Sequence, residues 1–538
     1  MVALQKHPIL LLLPVLVIAS AFGFNHYYFG MWNQFLALPW LYNRLDPNLF
    51  PHDMAVEQAQ HSPSVFWALQ EYLLPLFGNN IALMYLCLYL LALAFSFYAF
   101  YGLGKQLHQS KRAGIISLVA LSFSVPVIGD VELWSTLFME RGLAFPLLIF
   151  SLYFLLRGQE WAAVFLQALA FNIHPLSAFY VVLAAWAGVL LGRGWRWVYF
   201  AYAGLFLLVA APVLYLAFSR PTVAADVNLE AIWLEVMKLR NAHHALPSAF
   251  PWSQWLKSAL FASAFFVFLG RAKLPGYYRK FALGFALMVL LMLITGTVFT
   301  EWLPLKQILQ FQFFRSFRFV IVLGLAYYAG ALVTQSKAWH YWLLPGFMAI
   351  YFYGGVSKSL AAVATLLLAT YLLLRWRDRY RPYLVLVVWY LGLGASARFM
   401  HNTIPWNRGT QKDSWYAMQN WAFEQSARDA LFIVPPQVPG FRVESKRSIY
   451  GDWYDGTKAF FSAEYAQYWL EHMKNLNCYR PDSLRSDYLQ LKTKEILNIA
   501  QAEEQRHSEI YFITYAERPL LPFEQKLANK DFVLYRLK

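Results

Sequence analysis

Long apolar runs separated by short polar breaks fill the first three quarters of the chain, and the pattern changes near residue 398. Thirteen runs lie near residues 8–24, 81–103, 114–129, 142–156, 161–172, 176–192, 197–219, 256–270, 281–299, 317–334, 341–353, 359–374 and 383–397. A helix needs about 20 residues to cross the hydrocarbon, fewer where it is broken. Backbone in hydrocarbon must satisfy its own hydrogen bonds, so these runs are expected to be helices. Two excursions, residues 25–80 and 220–255, are aromatic and amphipathic. The first carries Trp40, Phe66, Trp67 and Tyr72, side chains that settle at a headgroup boundary, so short helices on the outer membrane face are expected there.

Beyond residue 398 the periodicity predicts an amphipathic helix over 414–427, a buried strand over 430–434 ended by Pro435-Pro436, and helices around 457–475 and 483–505. Strands over 510–515 and 532–537 follow. The expected architecture is an all-α polytopic membrane domain of about 13 transmembrane helices over residues 1–397, with a small C-terminal α/β domain over 398–538 outside the cytoplasm.

Composition agrees with a membrane protein. The 538 residues are 59% hydrophobic and only 14% charged, against roughly 25% charged in a soluble domain. The net charge of +15 would point to nucleic acid in a soluble protein, but its location gives another meaning. With the N-terminus in the cytoplasm, the inside loops hold 16 basic residues against two acids, Glu160 and Asp378, while the outside loops before residue 398 hold 10 against 11. This is the positive-inside pattern. The first run, with Lys6 before it and Ala19-Ser20-Ala21 near its end, also has the form of a cleavable signal peptide. Cys87 and Cys478 build neither a disulfide framework nor a zinc knuckle. No G-x-S-x-G, Walker loop or G-x-G-x-x-G after a strand occurs, so a nucleotide-driven pump has no support.

Acids at the outer ends of spans are the first candidates for chemistry, because a carboxylate beside hydrocarbon is costly. Asp46 and Asp53 lie in the first outer loop and Asp130 and Glu132 in the second. Such carboxylates act as a base on an acceptor hydroxyl or bind a divalent cation, magnesium or manganese, with Asp53, Asp130 and Glu132 the metal candidates. The plain alternative is that Asp46 starts a turn at Pro47 and Asp53 caps a helix toward Glu57. His174, in Phe171-Asn172-Ile173-His174-Pro175, sits in a short outer turn and either bonds a phosphate or, as a helix-end histidine, satisfies backbone carbonyls in the turn. Arg315 and Arg318 begin the tenth span on the outside, against the charge trend, and with Arg141 offer guanidiniums to a lipid phosphate; snorkelling to ordinary headgroups is the alternative. His243-His244 are adjacent and do not face the same way on a helix, which argues against a metal pair.

Thirteen spans, a long first outer loop with Asp46 and Asp53, acids again at Asp130 and Glu132, and an external α/β domain together resemble the GT-C superfamily of polyprenyl-phosphate-dependent membrane glycosyltransferases. Glu140-Arg141-Gly142-Leu143-Ala144-Phe145-Pro146, Ile173-His174-Pro175 and Ala430-Leu431-Phe432-Ile433-Val434-Pro435-Pro436 look like segments of its uncharacterised bacterial members. The resemblance implies transfer of a sugar from a polyprenyl-phosphate carrier to a glycan, lipid or protein acceptor at the outer side of a bacterial cytoplasmic membrane. Asp53 or Asp46 would be the first-loop acid, Asp130 with Glu132 the second acidic motif, and Arg315 or Arg318 the phosphate contact. The Trp-Trp-Asp-Tyr-Gly element of the oligosaccharyltransferase is absent; Gly451-Asp452-Trp453-Tyr454-Asp455-Gly456 has similar residues in another order, so asparagine glycosylation is not implied. A transporter or flippase and a non-catalytic scaffold are the competing readings; charges clustered at span ends rather than within spans disfavour an ion-coupled carrier.

Overall fold

A computed structural model describes residues 9–24, 27–31, 33–59, 64–122, 124, 126–129, 131–219, 227–334 and 410–538. The chain divides into two compact units, one of residues 1–29, 63–220 and 243–404, the other of residues 30–62, 221–242 and 405–538.

The first unit is helical. Among its described residues five helical stretches are long and apolar enough to cross a membrane, Ile81–His108, Pro175–Arg193, Val198–Phe218, Gly276–Trp302 and Lys306–Tyr328, and Leu12–Phe22 and Glu160–Ile173 are shorter apolar helices. This fits a membrane protein, but it does not amount to thirteen spans. The expected spans at 341–353, 359–374 and 383–397 lie outside the described residues. The expected span at 114–129 is a correction: its helix, Lys111–Leu121, stops after 11 residues. A short antiparallel hairpin of β1 (Pro126–Val127) and β2 (Val131–Glu132) follows, turning at Gly129 with φ +83°. Proline without an N–H and a turn glycine between β-branched valines outweigh the apolar composition.

Small residues let the helices approach closely. A Cβ on Gly188 would lie 2.6 Å from the Phe281 carbonyl, and one on Gly284 would lie 2.7 Å from that of Ala187, so Pro175–Arg193 and Gly276–Thr297 meet backbone to backbone. Val198–Phe218 is apolar all round and largely uncovered, with Leu208 at 74% and Phe218 at 84% exposure, a surface suited to lipid rather than water. Glu160, one of the two acids expected on the cytoplasmic side, is buried and neutralised: Arg193 Nη1 lies 2.5 Å and Arg196 Nη1 3.6 Å from its carboxylate, and the Tyr202 hydroxyl donates to it at 2.9 Å.

The second unit is α/β, built on a sheet of β3 (Leu431–Ile433), β4 (Ser448–Ile449), β5 (Ile510–Tyr515), β6 (Glu524–Ala528) and β7 (Phe532–Arg536) in the order β4-β3-β5-β7-β6. β4, β3 and β5 are parallel; β7 runs antiparallel to β5 and β6. β5 is buried along its whole length, which is why it reads as a continuous apolar run. The edge strand β6 is mostly exposed and carries Glu524 and Lys526, as edges that must not pair further do. On one face the helix Thr410–Gln425 lays Trp415 against Phe441 and Phe532, with ring centroids 5.4 and 4.9 Å apart. Tyr488, in the helix Leu484–Leu489, stacks on Phe512 at 5.6 Å.

Parts of the excursions at 25–80 and 220–255 belong to this unit. Helix Gln34–Leu45 buries Trp40, and Phe35 approaches Gly440 so closely that a Cβ there would lie 2.5 Å from the ring. Helix Val227–Arg240 buries Trp233, whose indole N–H donates to the Ala459 carbonyl at 2.9 Å. The aromatic residues expected at a headgroup boundary are therefore partly core: Trp40 here, and Phe66 and Trp67 in the first unit, while Tyr72 is 78% exposed.

Candidate functional site

Two polar centres stand out, one in each unit. In the first unit, His174 joins helix Glu160–Ile173 to helix Pro175–Arg193 and caps the latter, its Nδ1 accepting from the Ser177 N–H at 3.1 Å. That bond fixes the neutral tautomer with its proton on Nε2. Two residues earlier Asn172 repairs a neighbour. Pro212 interrupts the hydrogen bonding of Val198–Phe218, and the Asn172 amide donates to the Val209 carbonyl at 2.6 Å and accepts from the Val213 N–H at 3.3 Å. The Asn-Ile-His-Pro sequence is thus accounted for by a helix repair and a helix cap.

Around this cap gather three of the anticipated cations. Arg318, in the first turn of Phe317–Thr334, is 3% exposed; its Nη2 donates to Ser177 Oγ and its guanidinium lies 4.6 Å over the Phe319 ring. Its Nε is buried without a hydrogen-bond partner, as is Ser316 Oγ. Arg315, in the 3₁₀ turn Phe313–Ser316, directs Nε toward the Gly129 carbonyl at 3.4 Å, in the turn between β1 and β2. Arg141, Arg315 and Arg318 all act electrostatically on His174, and Arg141 and Arg315 also act on Arg318. The turn is held by the buried Tyr180 hydroxyl, which donates to the Gln312 carbonyl at 3.0 Å. Gathering like charges around a buried guanidinium is unfavourable unless an anion joins them. Glu132 in β2 accepts from the Thr136 N–H at 3.1 Å and its hydroxyl at 3.2 Å. Asp130 lies outside the described residues.

In the second unit Asp53 is 3% exposed and engages Arg442 side on, accepting from Nε at 2.6 Å and Nη2 at 3.0 Å. The adjacent edge of the guanidinium, Nη1 and Nη2, donates to Asp455 at 2.8 and 2.9 Å. Asp53 also accepts the N–H groups of Ile449 at 3.2 Å and Val56 at 3.4 Å, the latter capping the helix Met54–Ala59. Burial alone would lower the Arg442 pKa; the Asp455 and Asp53 carboxylates more than offset it and keep the guanidinium charged. Asp452 and Asp455 accept each other's backbone N–H, at 2.8 and 3.1 Å. Burial, then the Asp455 charge, pushes Asp452 up to about 8, so it holds a proton at neutral pH. Helix Val227–Arg240 and the residue after it clamp this turn: Arg240 Nε donates to the Trp453 carbonyl at 2.6 Å and Asn241 to that of Gly456 at 3.0 Å. Beside the ion pairs is a cavity of about 10 Å³, room for about one water.

Arg141, His174, Arg315 and Arg318 are therefore brought together, with the Gly129 turn of the β1–β2 hairpin against Arg315. Asp53 and Asp46 belong to the other unit. Asp46 is half-buried, accepts from the Asn48 N–H at 3.1 Å in its turn and lies 3.3 Å from Arg428. Asp53 does cap the helix toward Glu57, and its oxygens are taken by four donors. Among the described residues no three His, Cys, Asp or Glu gather as a metal site. Of the three metal candidates, Asp53 is engaged by Arg442 and Glu132 by Thr136, and Asp130 lies outside the described residues. Arg442 had no sequence signal of its own; its partners did, since Gly451-Asp452-Trp453-Tyr454-Asp455-Gly456 places two acids among aromatics.

Residues 413–476 match a domain of unknown function, DUF6798. The matched segment holds Arg442, Asp452 and Asp455 but not Asp53. No curated protein matches the chain.

Proposed function

We propose that the chain is a GT-C-type glycosyltransferase that moves a sugar from a polyprenyl-phosphate carrier to an acceptor at the outer face of a bacterial cytoplasmic membrane. In this reading the first unit crosses the membrane several times, with a cytoplasmic N-terminus and the C-terminal α/β unit outside. The observation that carries it is the convergence of the partly exposed Arg141 and Arg315 and the buried Arg318 about His174, with Arg318 Nε and Ser316 Oγ lacking partners. Departure of a sugar from its carrier leaves negative charge on the phosphate, and fixed guanidiniums stabilise that charge where water is excluded. The carbohydrate ring develops positive charge in the same step, which a nearby carboxylate favours. Asp130 or Glu132 takes that role, or the role of base on the acceptor hydroxyl; Asp53 is committed to Arg442.

The test is transfer of labelled sugar from a polyprenyl-phosphate donor by the full-length protein in lipid nanodiscs. Arg318→Met is expected to reduce transfer about 10- to 100-fold, the effect of losing charge-assisted hydrogen bonds. No transfer by the wild-type protein with polyprenyl-phosphate mannose, glucose or aminoarabinose, or unchanged transfer by the variant, refutes the reading.

A further inference from the structure

The topology of the second unit marks a place that the transfer reaction does not use. From β3 the chain moves to β4 on one side and then to β5 on the other side of β3, all three strands being parallel. The carboxyl ends of β3 and β5 therefore flank a topological switch point, the position at which open parallel α/β sheets bind ligands. A cavity of about 440 Å³ opens there, within the range of small-molecule sites. Gln437 enters it from beyond β3, Glu517 from beyond β5, and Asp482, Arg485 and Ser486 from the segment between β4 and β5.

The chemistry of this lining is specific. Arg485 Nε and Nη2 donate side by side to the two Glu517 oxygens at 3.1 and 3.0 Å. The guanidinium lies 4.4 Å over the ring of Tyr515, the last residue of β5. Arg485 and Glu517 are both about half-exposed, so the flat ion pair presents donors and acceptors to the opening. Tyr515 is buried, its hydroxyl makes no hydrogen bond of regular geometry, and its polar neighbours include Gln437, Arg485 and Glu517. Two carboxylates against one guanidinium leave the lining net negative, which disfavours phosphates and nucleotides. Adjacent donors and acceptors in one plane complement vicinal hydroxyl groups, each of which donates and accepts at once.

We propose that this pocket binds an uncharged, hydroxyl-rich saccharide unit. The site stands whether or not the chain transfers sugar, because its occupancy is read by binding alone. The test is saturation-transfer-difference NMR on the full-length protein in nanodiscs free of glycosidic detergent. The probes are methyl α-glucopyranoside, methyl α-mannopyranoside, N-acetylglucosamine and inorganic phosphate. At least one saccharide is expected to show transfer that falls fivefold or more in Arg485→Gln and in Glu517→Gln. It is expected to fall likewise in Ser486→Tyr, which fills the pocket from an exposed position and leaves the ion pair in place. Lys526→Gln, on the exposed edge strand, keeps the wild-type signal, and near-UV circular dichroism reports that each variant is folded. The proposal is overturned if none of the three saccharides shows transfer, if the signal persists in Ser486→Tyr, or if phosphate displaces the bound saccharide.

Discussion

Replacing Arg442 by methionine tests the ion-pair centre of the second unit directly. The substitution keeps much of the aliphatic volume and removes four hydrogen bonds, two to Asp53 and two to Asp455. Both carboxylates stay buried without their cation, and breaking a buried pair in this way costs about 3–5 kcal/mol. At 1.4 kcal/mol per factor of ten, this predicts a loss of about a hundred- to several thousandfold in amide protection where the centre sets local stability. Hydrogen–deuterium exchange mass spectrometry on the full-length protein, read on peptides from residues 441–475, measures it. Protection within tenfold of wild type would show that Arg442 does not hold the unit together.

Three further outcomes are expected. Asp452 has a folded-state pKa above its unfolded value, so its contribution is complete below about pH 4 and is lost as pH rises through about 8; Asp452→Asn should flatten that decline in thermal unfolding measured from pH 4 to 9. Gly440→Ala forces a side chain at φ +86° and a Cβ 2.5 Å from the Phe35 ring, costing about 2–4 kcal/mol in protection of the second unit, with Phe35→Leu restoring part. Asn172→Ala removes the repair at Pro212 and should destabilise the first unit by about 1–3 kcal/mol, lowering its melting point in nanodisc thermal-shift measurements; Asn172→Gln should not fully substitute.

How far the sequence was readable depended on whether its signals were local. Strand 510–515 was legible to the residue because a fully buried strand leaves an unbroken apolar run, and the helix cap at Asp53 was legible because capping acts over three residues; at His174 a helix-end role was legible but not its sense, since the imidazole accepts an N–H rather than bonding carbonyls. β4 and β6 were not legible: one has two residues and the other is a charged edge. Hydropathy also misread 114–129, where turn chemistry at Pro126 and Gly129 overrode it. The aromatic excursions were ambiguous in principle, since tryptophan serves a headgroup boundary and a protein core equally well. Arg442 could not be found at all, because its partners Asp53 and Asp455 are brought to it by folding across 389 and 13 residues of sequence. The cation cluster was anticipated because Arg315 and Arg318 begin an apolar run on the side where the charge pattern predicts few basic residues.

The central claim is that this cluster holds the phosphate of a lipid carrier. Native mass spectrometry of the full-length protein with added polyprenyl phosphate tests it, comparing wild type with an Arg315→Gln, Arg318→Gln double variant. The account predicts a one-to-one lipid adduct that survives delipidation in the wild type and is lost in the variant. A wild-type protein that retains no adduct, or a variant that retains it equally, would contradict the account.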